Sequence, residues 1–216
     1  MTASETILTG AMIERARALG AATLHEAAGR TGALPSAIKP VDPAMRVAGP
    51  AFTVVIPQLD NLWIHRALYR ASPGDVLVVS TSGGLEGGYW GDMLNEAAIA
   101  RGLAGLVIDG GVRDSAGLAA MSFPVFSNGI CIQGTIKGFD VPPCLQQPLT
   151  IGTVEIAPGD LMVGDRDGVV AIPAAEVAKV LGGGEAREAD EARKIEKIRA
   201  GVSTLELYGF GEDADA

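Results

Sequence analysis

The fold is decided by the stretch Leu103-Ala104-Gly105-Leu106-Val107-Ile108-Asp109-Gly110-Gly111-Val112-Arg113-Asp114, in which an apolar run ends abruptly in a polar, glycine-rich turn. The apolar run, residues 103–108, predicts a buried strand, and the glycines predict a tight turn behind it. We expect a short helix over residues 114–121 and another strand over residues 124–127. A strand that returns through a helix to a second strand is typical of a parallel sheet covered by helices.

The same alternation extends along the rest of the chain. Residues 93–101 predict a helix that Gly102 can end as a carboxyl-terminal cap, and residues 61–71 show helical spacing of apolar side chains. One or two short surface helices are expected over residues 13–28. Compact apolar segments predict four further strands: 47–56, 76–80, 152–156 and 169–172. The last two flank turn sequences and indicate an antiparallel section, so the predicted fold class is α/β.

The carboxyl-terminal region has a different character. Residues 185–199 hold five acidic and five basic side chains, and the three glycines at residues 182–184 predict a hinge before them. A helix of this length would project about 22 Å, so we expect it to contact a neighbouring subunit. The chain is therefore divided into a domain over residues 1–184 and a helical tail of the same domain over residues 185–216.

The composition favours a single acidic domain. Of the 216 residues, 48% are hydrophobic, and 17 basic against 26 acidic side chains give a net charge of −9. Such a surface repels phosphate backbones and anionic membranes, so no nucleic acid or membrane partner is predicted. The longest nearly uncharged apolar stretch, residues 47–56, is about half of what a bilayer crossing needs. These observations predict a cytoplasmic protein.

Several common catalytic motifs are absent from the sequence. With only His25 and His65, one chain cannot build a three-histidine metal site, and no second histidine completes H-E-x-x-H. Neither a G-x-S-x-G elbow nor a phosphate-binding loop occurs, and the glycines of residues 83–88 lack the spacing of a dinucleotide fingerprint. Cys131 and Cys144 fit neither a redox pair nor a zinc knuckle and are expected to be buried, inert thiols.

Two polar segments lie where α/β sheets bind their ligands, in turns behind predicted strands. The first is Gly91-Asp92-Met93-Leu94-Asn95. With Asp92 as the helix cap, the amides of Met93, Leu94 and Asn95 would form an anion site at the positive end of the helix dipole.

The second segment is Arg113-Asp114. An adjacent pair of this kind can supply a bidentate clamp for a carboxylate and a hard oxygen ligand side by side. The plainer alternative is that Asp92 and Asp114 are both helix caps and that Arg113 is an ion-pair partner.

Spacing connects the two segments. Asp92 is followed by twenty residues and then by Arg113-Asp114, which is the D-x20-R-D pattern. In this pattern and in a series of shorter motifs, over about residues 10–209, the chain resembles the class II pyruvate aldolases among the RraA-like proteins. In the order of that family, these motifs are His25-Glu26-Ala27 with Gly29-Arg30, Pro73-Gly74-Asp75, Asp109-Gly110, Phe123-Pro124-Val125-Phe126, Gly134-Thr135-Ile136-Lys137, Pro158-Gly159-Asp160 and Gly164-Asp165-Arg166-Asp167-Gly168-Val169-Val170.

The resemblance implies an α/β/β/α swivelling-domain-like sandwich that forms a homotrimer or hexamer with active sites between subunits. Residues 1–184 would then be an RraA-like catalytic domain. Arg113 would hold the pyruvyl part of the substrate, and Asp114 would bind Mg²⁺ or Mn²⁺ through a water-rich shell. Asp92 would orient water at the metal.

The resemblance also implies contacts from two other regions. Gly91 and the amides of Met93, Leu94 and Asn95 would hold pyruvyl oxygens, in agreement with the anion site argued from the helix start. Glu26 and Glu191 correspond to family acids that the adjacent subunit contributes. Three further tail acids lie close to Glu191 in the sequence: Glu188, Asp190 and Glu196.

The implied activity is metal-dependent retro-aldol cleavage of a 4-hydroxy-2-oxo acid to pyruvate and a second oxo acid, a reaction of aromatic compound degradation. The family substrates are 4-hydroxy-4-methyl-2-oxoglutarate and 4-carboxy-4-hydroxy-2-oxoadipate. Because the same pyruvate enolate arises when oxaloacetate loses carbon dioxide, an oxaloacetate decarboxylase side activity is expected. Lys137 offers a rival Schiff-base mechanism. The alternative function is a non-catalytic, protein-binding regulator of ribonuclease activity.

Overall fold

The computed structural model of the protein describes residues 8–139 and 144–211. This part of the chain contains eleven strands: β1 (Lys39–Pro40), β2 (Val47–Val55), β3 (Val76–Ser80), β4 (Gly88–Trp90), β5 (Gly105–Ile108), β6 (Gly111–Val112), β7 (Val125–Ser127), β8 (Leu149–Ile151), β9 (Val154–Ile156), β10 (Leu161–Asp165) and β11 (Gly168–Ile172). It also contains six α-helices: α1 (Gly10–Ala27), α2 (Leu62–Leu68), α3 (Asp92–Ala100), α4 (Ser115–Ala120), α5 (Val177–Arg199) and α6 (Thr204–Tyr208). Each strand and helix expected from the sequence is present.

Seven strands form one mixed sheet in the order β1-β7-β5-β3-β2-β10-β11. The four central strands, β2, β3, β5 and β7, are parallel, whereas β10 pairs antiparallel with both β2 and β11. Strands β3 and β5 are buried along their whole length, which is why both appear in the sequence as continuous apolar runs. The predicted α/β class is confirmed, including the antiparallel section near the carboxyl end.

The sheet curls until its two ends approach each other. β1 pairs antiparallel with β7 at one end. Lys39 of β1 donates a hydrogen bond to the carbonyl of Asp167, in the turn that joins β10 to β11 at the other end. The result is a nearly closed, barrel-like sheet whose inner face is filled by apolar side chains, among them Val78, Val107 and Phe126.

Helices cover the outer face of this sheet in two groups. Helices α2, α3 and α4 pack over the parallel strands through a core that includes Trp63, Leu94 and Leu118. Helices α1 and α5 pack over β10 and β11 through side chains such as Leu24 and Leu181. The parallel strands and their covering helices are therefore the part of the fold that positions the turns at residues 81–91 and 109–114.

Helix α1 is broken at Gly20, whose φ of +77° is a left-handed conformation that suits glycine. The carboxylate of Asp165, at the end of β10, accepts a hydrogen bond from the amide of Ala21 across 2.8 Å. Its other oxygen accepts one from the amide of Asp167 across 2.9 Å. The buried Asp165 thus caps the second half of α1, and the expectation of one or two short helices in this region is confirmed, as a single helix with a break at Gly20.

The predicted hinge at residues 182–184 is wrong. Helix α5 runs without interruption from Val177 through these glycines to Arg199. Gly184 is buried against α1, where an added Cβ would lie 3.0 Å from Cδ1 of Leu19. The glycine therefore allows two helices to pack closely, and the charged tail continues the same helix.

Two expectations drawn from composition can also be compared with the structure. Within residues 8–139 and 144–211, no helix is long and apolar enough to cross a bilayer. Within the described residues Cys131 and Cys144 form no disulfide, and both are partly exposed, so the expectation that they are buried is wrong.

Candidate active site

A small second sheet brings the two polar segments together. Strand β4 pairs in parallel with β6, and the amide of Arg113 donates a hydrogen bond to the carbonyl of Trp90 across 2.8 Å. The pairing is close because Gly111 has no side chain: an added Cβ would lie 2.8 Å from the carbonyl oxygen of Gly87. As a result, the start of α3 lies beside the Arg113-Asp114 turn.

Asp114 adopts a left-handed backbone conformation, with φ of 57° and ψ of 36°. For a residue other than glycine this costs about 1 kcal/mol or more, and such strain is often found at functional sites. Oδ2 of Asp114 accepts a hydrogen bond from the amide of Asp92 across 3.3 Å and lies 3.7 Å from Nε of Arg113. The conformation therefore directs the carboxylate towards the start of α3.

Gly91 makes this approach possible. A Cβ at this position would lie 2.4 Å from Oδ2 of Asp114 and 3.3 Å from Nε of Arg113. Any other residue here would push the carboxylate or the guanidinium aside, since real Cβ atoms do not approach other atoms so closely. Gly91 thus makes room for the side chains of both Asp114 and Arg113.

Asp92 does not cap α3. The cap residue is Gly91, and Asp92 is the first residue of the helix. Its carboxylate is directed at α4 instead, where a Cβ on Gly117 would lie 2.3 Å from Oδ1. Within the described residues Oδ1 of Asp92 is buried without a hydrogen-bond partner, an arrangement that costs about 1–3 kcal/mol unless a ligand, an ion or water satisfies it.

The interpretation of both aspartates as helix caps is therefore wrong. Asp114 occupies the position before α4, but its side chain makes no capping hydrogen bond, and neither does the side chain of Asp92 at the start of α3. The ion pair of Arg113 with Asp114 is long, and both side chains are about half exposed, so it contributes little to stability.

The predicted anion site at the start of α3 is smaller than expected. The amide of Asn95 donates to the carbonyl of Gly91 across 3.1 Å, so the prediction of a free amide at this residue is wrong. The Asn95 side chain is fully buried and accepts a hydrogen bond from Nε1 of Trp90 across 3.0 Å. Among the described residues, the amides of Met93 and Leu94 have no partner and remain available to an anion.

Most of the predicted residues line one pocket of about 270 Å³. Gly91, Met93, Leu94, Arg113 and Asp114 all contribute to its wall. The other lining residues are Asn61, His65, Gly88, Tyr89, Trp90 and Lys137. Asp92 and Asn95 do not line the pocket and instead support it from behind.

No sequence motif indicated that Asn61 and His65 belong to this site. Asn61 is 6% exposed and donates from Nδ2 to the carbonyl of Tyr89 across 2.9 Å, but within the described residues its Oδ1 is buried without a partner. Burial lowers the pKa of His65, and the positive charge of Lys137 lowers it further. Asn61 directly precedes α2 and His65 lies within it, and the packing of α2 on β2 brings both to the pocket. Neither residue lies in a recognisable motif.

Glu26 and Glu191 lie together, away from this pocket. Nη1 of Arg187 lies 3.6 Å from Oε2 of Glu26, and its Nη2 lies 2.9 Å from Oε1 of Glu191. A hydrogen bond from Arg30 lowers the pKa of Glu26, and the charge of Arg187 contributes in the same direction. The fold thus brings the two acids to one surface of α1 and α5, while Arg113 lies on another part of the chain.

Three further tail acids were possible alternatives to Glu191. Asp190 is paired with Lys194 and Arg193, across 2.8 and 3.2 Å, which lowers its pKa. Among the described residues, neither Glu188 nor Glu196 has an ion pair or a link to Glu26. Glu191 is therefore the tail acid that shares a partner with Glu26.

The carboxylates near the pocket are few. Asp114 lines it and Asp92 lies directly behind it. Within residues 8–139 and 144–211, no group of three or more histidine, cysteine, aspartate or glutamate side chains is arranged to hold a metal ion. A cation at this site would therefore have one or two carboxylate ligands from this chain.

The mixed α/β fold with a nearly closed sheet, the Arg-Asp pair and the helix start with two free amides together define a class of proteins. Comparison with known sequences identifies that class. Residues 12–171 match the RraA-like family described as Aldolase/RraA. The chain belongs to this family.

Similar sequences and structures agree with this assignment. A protein of Halalkalibacterium halodurans, provisionally named 4-hydroxy-4-methyl-2-oxoglutarate aldolase, is 38% identical over 176 residues, which cover 81% of this chain and 82% of that protein. An uncharacterised protein from Pseudomonas syringae has the same fold, with a TM-score of 0.82, 33% identity and 96% coverage of both chains. Streptomyces coelicolor RraAS2, described as an unusual member of the RNase ES inhibitor RraA family, gives a TM-score of 0.75 at 27% identity, with 88% of this chain and 97% of that chain covered.

Proposed function

We propose that this protein is a divalent-metal-dependent aldolase that cleaves a 4-hydroxy-2-oxo acid to pyruvate and a second oxo acid. The substrates in this proposal are 4-hydroxy-4-methyl-2-oxoglutarate and 4-carboxy-4-hydroxy-2-oxoadipate. The observation that carries the proposal is the convergence of Arg113, Asp114 and the free amides of α3 on one pocket. The name of the Halalkalibacterium relative supports the same substrate class.

The first requirement is to hold the pyruvyl end of the substrate. The guanidinium of Arg113 can bind the carboxylate or the 2-oxo group with two hydrogen bonds. The amides of Met93 and Leu94, at the positive end of the α3 dipole, can donate to the remaining oxygens. These contacts orient the C3–C4 bond and place positive charge beside the C2 oxygen, where negative charge develops in the transition state.

The residues present fit a hard divalent cation. Asp114 is half exposed, and among the described residues only its Oδ2 is engaged, so Asp114 is the side chain that would hold Mg²⁺ or Mn²⁺. The unpartnered Oδ1 of Asp92 is a second acceptor nearby, suited to water in the outer shell. When bound, the cation supplies the positive charge that stabilises an enolate at the C2 oxygen.

Cleavage also needs a proton acceptor. A base removes the proton of the C4 hydroxyl, the C3–C4 bond breaks, and its electron pair forms the enolate, which is then protonated at C3 to give pyruvate. Asp114 is the only described carboxylate that lines the pocket. We therefore assign the proton transfer to Glu191 or Glu26 of an adjacent copy, with Asp92 as the positioning residue that holds Asp114 through its amide.

Two exposed apolar surfaces support such an assembly. The first lies near the pocket and includes Met93, Ile132 and Phe139, which are 85%, 92% and 75% exposed. The second lies on the tail and comprises Ile195, Ile198, Leu205, Tyr208 and Phe210. Large exposed apolar patches mark interaction sites. A second copy that places its tail on the first surface would bring Glu26 and Glu191 to the pocket, in a homotrimer or a hexamer of two such rings.

Two alternatives to a metal-dependent aldolase can be distinguished from it. Lys137 is exposed, whereas a Schiff-base lysine needs an apolar pocket that lowers its pKa, so the geometry favours the metal mechanism. A protein-binding regulator of ribonuclease activity is favoured by the similarity to RraAS2. Such a regulator has no requirement for the unpartnered acceptor of Asp92 or for free amides at the start of α3.

One assay tests the proposal. The protein is incubated with 4-hydroxy-4-methyl-2-oxoglutarate and Mg²⁺, and pyruvate release is followed with and without EDTA. We expect turnover that stops with EDTA and returns with Mg²⁺ or Mn²⁺, and a slower decarboxylation of oxaloacetate. Turnover that survives EDTA would favour the Schiff base of Lys137, and the absence of turnover with either substrate would favour the regulator.

A further inference from the structure

A second cavity lies at the mouth of the barrel-like sheet, where the parallel strands end. It has a volume of about 470 Å³, within the usual range of small-molecule sites, and it shares no wall residue with the pocket that contains Arg113. Its polar wall includes Ser80, Asp109 and Asn128, which are the last residue of β3 and the residues directly after β5 and β7. The reaction proposed above uses none of these three side chains.

The three polar side chains stand in one row across neighbouring strands. In the registers of β3 with β5 and of β5 with β7, Ser80 falls beside Asp109, and Asp109 falls beside Asn128. Two residues before the first two of them, Val78 and Val107 belong to the apolar cluster inside the sheet. Because successive side chains of a strand alternate between its faces, the polar row faces the inside of the sheet as well.

Asp109 is held in this row as a hydrogen-bond acceptor. Its Oδ1 accepts hydrogen bonds from the amide and the hydroxyl of Thr81, across 2.6 and 2.7 Å. Its Oδ2 accepts one from the hydroxyl of Ser80 across 3.2 Å. A carboxylate offers about four acceptor positions on its two oxygens, so Oδ2 can accept a further hydrogen bond from a ligand.

Two more acceptor oxygens adjoin Asp109. The hydroxyl of Ser80 donates its one hydrogen to Asp109, which leaves its lone pairs available, and Ser80 is only 7% exposed. Among residues 8–139 and 144–211, the side chain of Asn128 has no hydrogen-bond partner, so its amide oxygen is free to accept. Three acceptor oxygens in one row are therefore available to a single ligand group.

The charge of the cavity favours a cation. Asp109 is the only charged side chain in the described part of its wall, and neither lysine nor arginine lines it there. The protein as a whole carries a net charge of −9. Such a field attracts cations and repels anions. The cavity is therefore unsuited to an oxo acid and is not a second site for the substrate or the products proposed above.

Much of the remaining wall is apolar. Ile38 and Ile151 are buried members of the cluster inside the sheet, and Leu85, which is 48% exposed, also lines the cavity. A hydrocarbon group placed against these side chains is removed from water, which favours binding. The wall as a whole suits a molecule with one end rich in hydrogen-bond donors and one apolar end.

We propose that this cavity binds a small organic cation in which a primary ammonium group is attached to a hydrocarbon body. An ammonium group has three N–H donors and no acceptor, which matches the three acceptor oxygens of Ser80, Asp109 and Asn128. Its charge pairs with Asp109, and its hydrocarbon body packs on Ile38 and Ile151. This binding does not depend on the aldolase function.

Three probes of similar shape test the proposal. At neutral pH cyclohexylmethylamine is a cation, cyclohexylmethanol is neutral and cyclohexanecarboxylate is an anion. Binding to the full chain is measured by calorimetry in phosphate buffer, without substrate. We expect the Kd of the amine to be at least about 10-fold lower than that of the alcohol, because only the amine forms a charge-assisted hydrogen bond, and we expect the carboxylate not to displace the amine. Equal Kd values for amine and alcohol, or displacement of the amine by the carboxylate, would overturn the inference.

Asp109→Asn removes the charge from the row and should lower the preference for the amine over the alcohol about 10-fold. Glu96→Gln is the matched control, because it removes the same charge from an exposed side chain on α3 that does not line the cavity. The control should keep the preference of the wild type. A preference in Asp109→Asn equal to that in Glu96→Gln would contradict the role of Asp109.

A second measurement needs no change at Asp109 and so remains decisive if that variant does not fold. The wild type with methyl-labelled isoleucine is titrated with cyclohexylmethylamine and followed by NMR, with signals assigned by single Ile→Val variants. The signals of Ile38 and Ile151 should move, and those of Ile195 and Ile198 on α5 should not. Shifts that leave Ile38 and Ile151 unchanged would place the amine elsewhere and overturn the inference. None of these readouts requires turnover, so they are separate from the test of the aldolase function.

Discussion

The backbone amide of Asp92 donates a hydrogen bond to the carboxylate of Asp114 across 3.3 Å. The first residue of α3 and the turn after β6 are therefore joined at the wall of the pocket, on two segments that a parallel pair of strands brings together. This bond gives the D-x20-R-D spacing a physical meaning, because the fold brings Asp92 and Asp114 into direct contact.

Gly91→Ala should disrupt this relationship. The new Cβ would lie 2.4 Å from Oδ2 of Asp114, so the carboxylate has to move. We expect kcat/KM for aldol cleavage to fall about 10- to 100-fold, the usual effect of displacing a metal ligand through its supporting contacts. The matched control is Gly182→Ala, which adds a methyl group to open space on α5 and should raise the free energy of unfolding by about 0.5–1 kcal/mol at unchanged activity. Activity of Gly91→Ala equal to that of the control would contradict the assignment.

Arg113→Ala and Asp114→Asn should each abolish most of the turnover without unfolding the protein. Both side chains are about half exposed, so neither is required for the core. We expect kcat/KM to fall by at least about 10²–10³-fold in each variant, because an electrostatic contact to the developing oxyanion is lost. Titration with Mn²⁺ in a calorimeter should show weaker metal binding for Asp114→Asn and little change for Arg113→Ala. Near-normal turnover in either variant would refute the site.

Asp165→Ala should destabilise the fold without touching the pocket. The buried carboxylate accepts hydrogen bonds from the amides of Ala21 and Asp167, and its loss leaves the second half of α1 uncapped. We expect the free energy of unfolding to fall by about 2 kcal/mol in urea denaturation. Asp167→Ala, at an exposed side chain in the same turn, should cost less than about 0.5 kcal/mol. Equal losses in the two variants would argue against the capping role.

The titration of His65 provides a test of how Lys137 and His65 are arranged in the wall of the pocket. Burial is the first cause of its lowered pKa and Lys137 the second, so Lys137→Met should raise the pKa of His65 while leaving it below the ordinary value of 6.5. Only two histidines occur in the chain, so their imidazole signals can be followed by NMR. Lys179→Met is the control, because Lys179 is exposed, is paired with Glu176 across 3.1 Å and does not line this pocket; it should leave the titration of His65 as in the wild type. A titration of His65 that does not move in Lys137→Met would contradict the proximity of the two side chains.

The lowered pKa of His65 also makes the stability of the folded protein depend on pH. Because the pKa of His65 is lower in the folded protein than in the unfolded chain, the unfolded chain binds more protons below about pH 6.5. The contribution of His65 to stability is therefore present above pH 6.5 and is lost as the pH falls through its folded-state pKa. Urea denaturation at a series of pH values should show this loss in the wild type, and His65→Gln should reduce it.

The sequence was sufficient for the elements of the fold and for the Arg113-Asp114 turn, because each depends on local patterns. Continuous apolar runs indicated buried parallel strands, and the position of the Arg-Asp pair behind one of them indicated the ligand edge of the sheet. The three glycines at residues 182–184 led to a wrong prediction of a hinge. The segment is helical because Gly184 packs against Leu19, and this contact is distant in sequence.

The detailed geometry of the site could not be predicted from the sequence, because it depends on contacts between residues that are distant in the chain. The role of Asp92 is decided by Gly117, whose missing side chain leaves room for the carboxylate between α3 and α4. His65 enters the pocket only because α2 packs on β2 and the loop at Lys137 is fixed to the same segment. The link of Glu26 to Glu191 through Arg187 likewise requires α1 and α5 to lie side by side.

The curl of the sheet also bears on how the protein avoids aggregation. A sheet of seven strands has two outer edges, and an exposed edge can pair with the edge of another molecule. One edge, β1, is only two residues long and contains Pro40, which has no amide hydrogen to donate. The other edge, β11, is covered by the chain at residues 32–34, where Leu34 donates to Val169 and Ala171 donates to Gly32. Neither end of the sheet therefore offers a foreign strand a long ladder of open hydrogen-bonding groups.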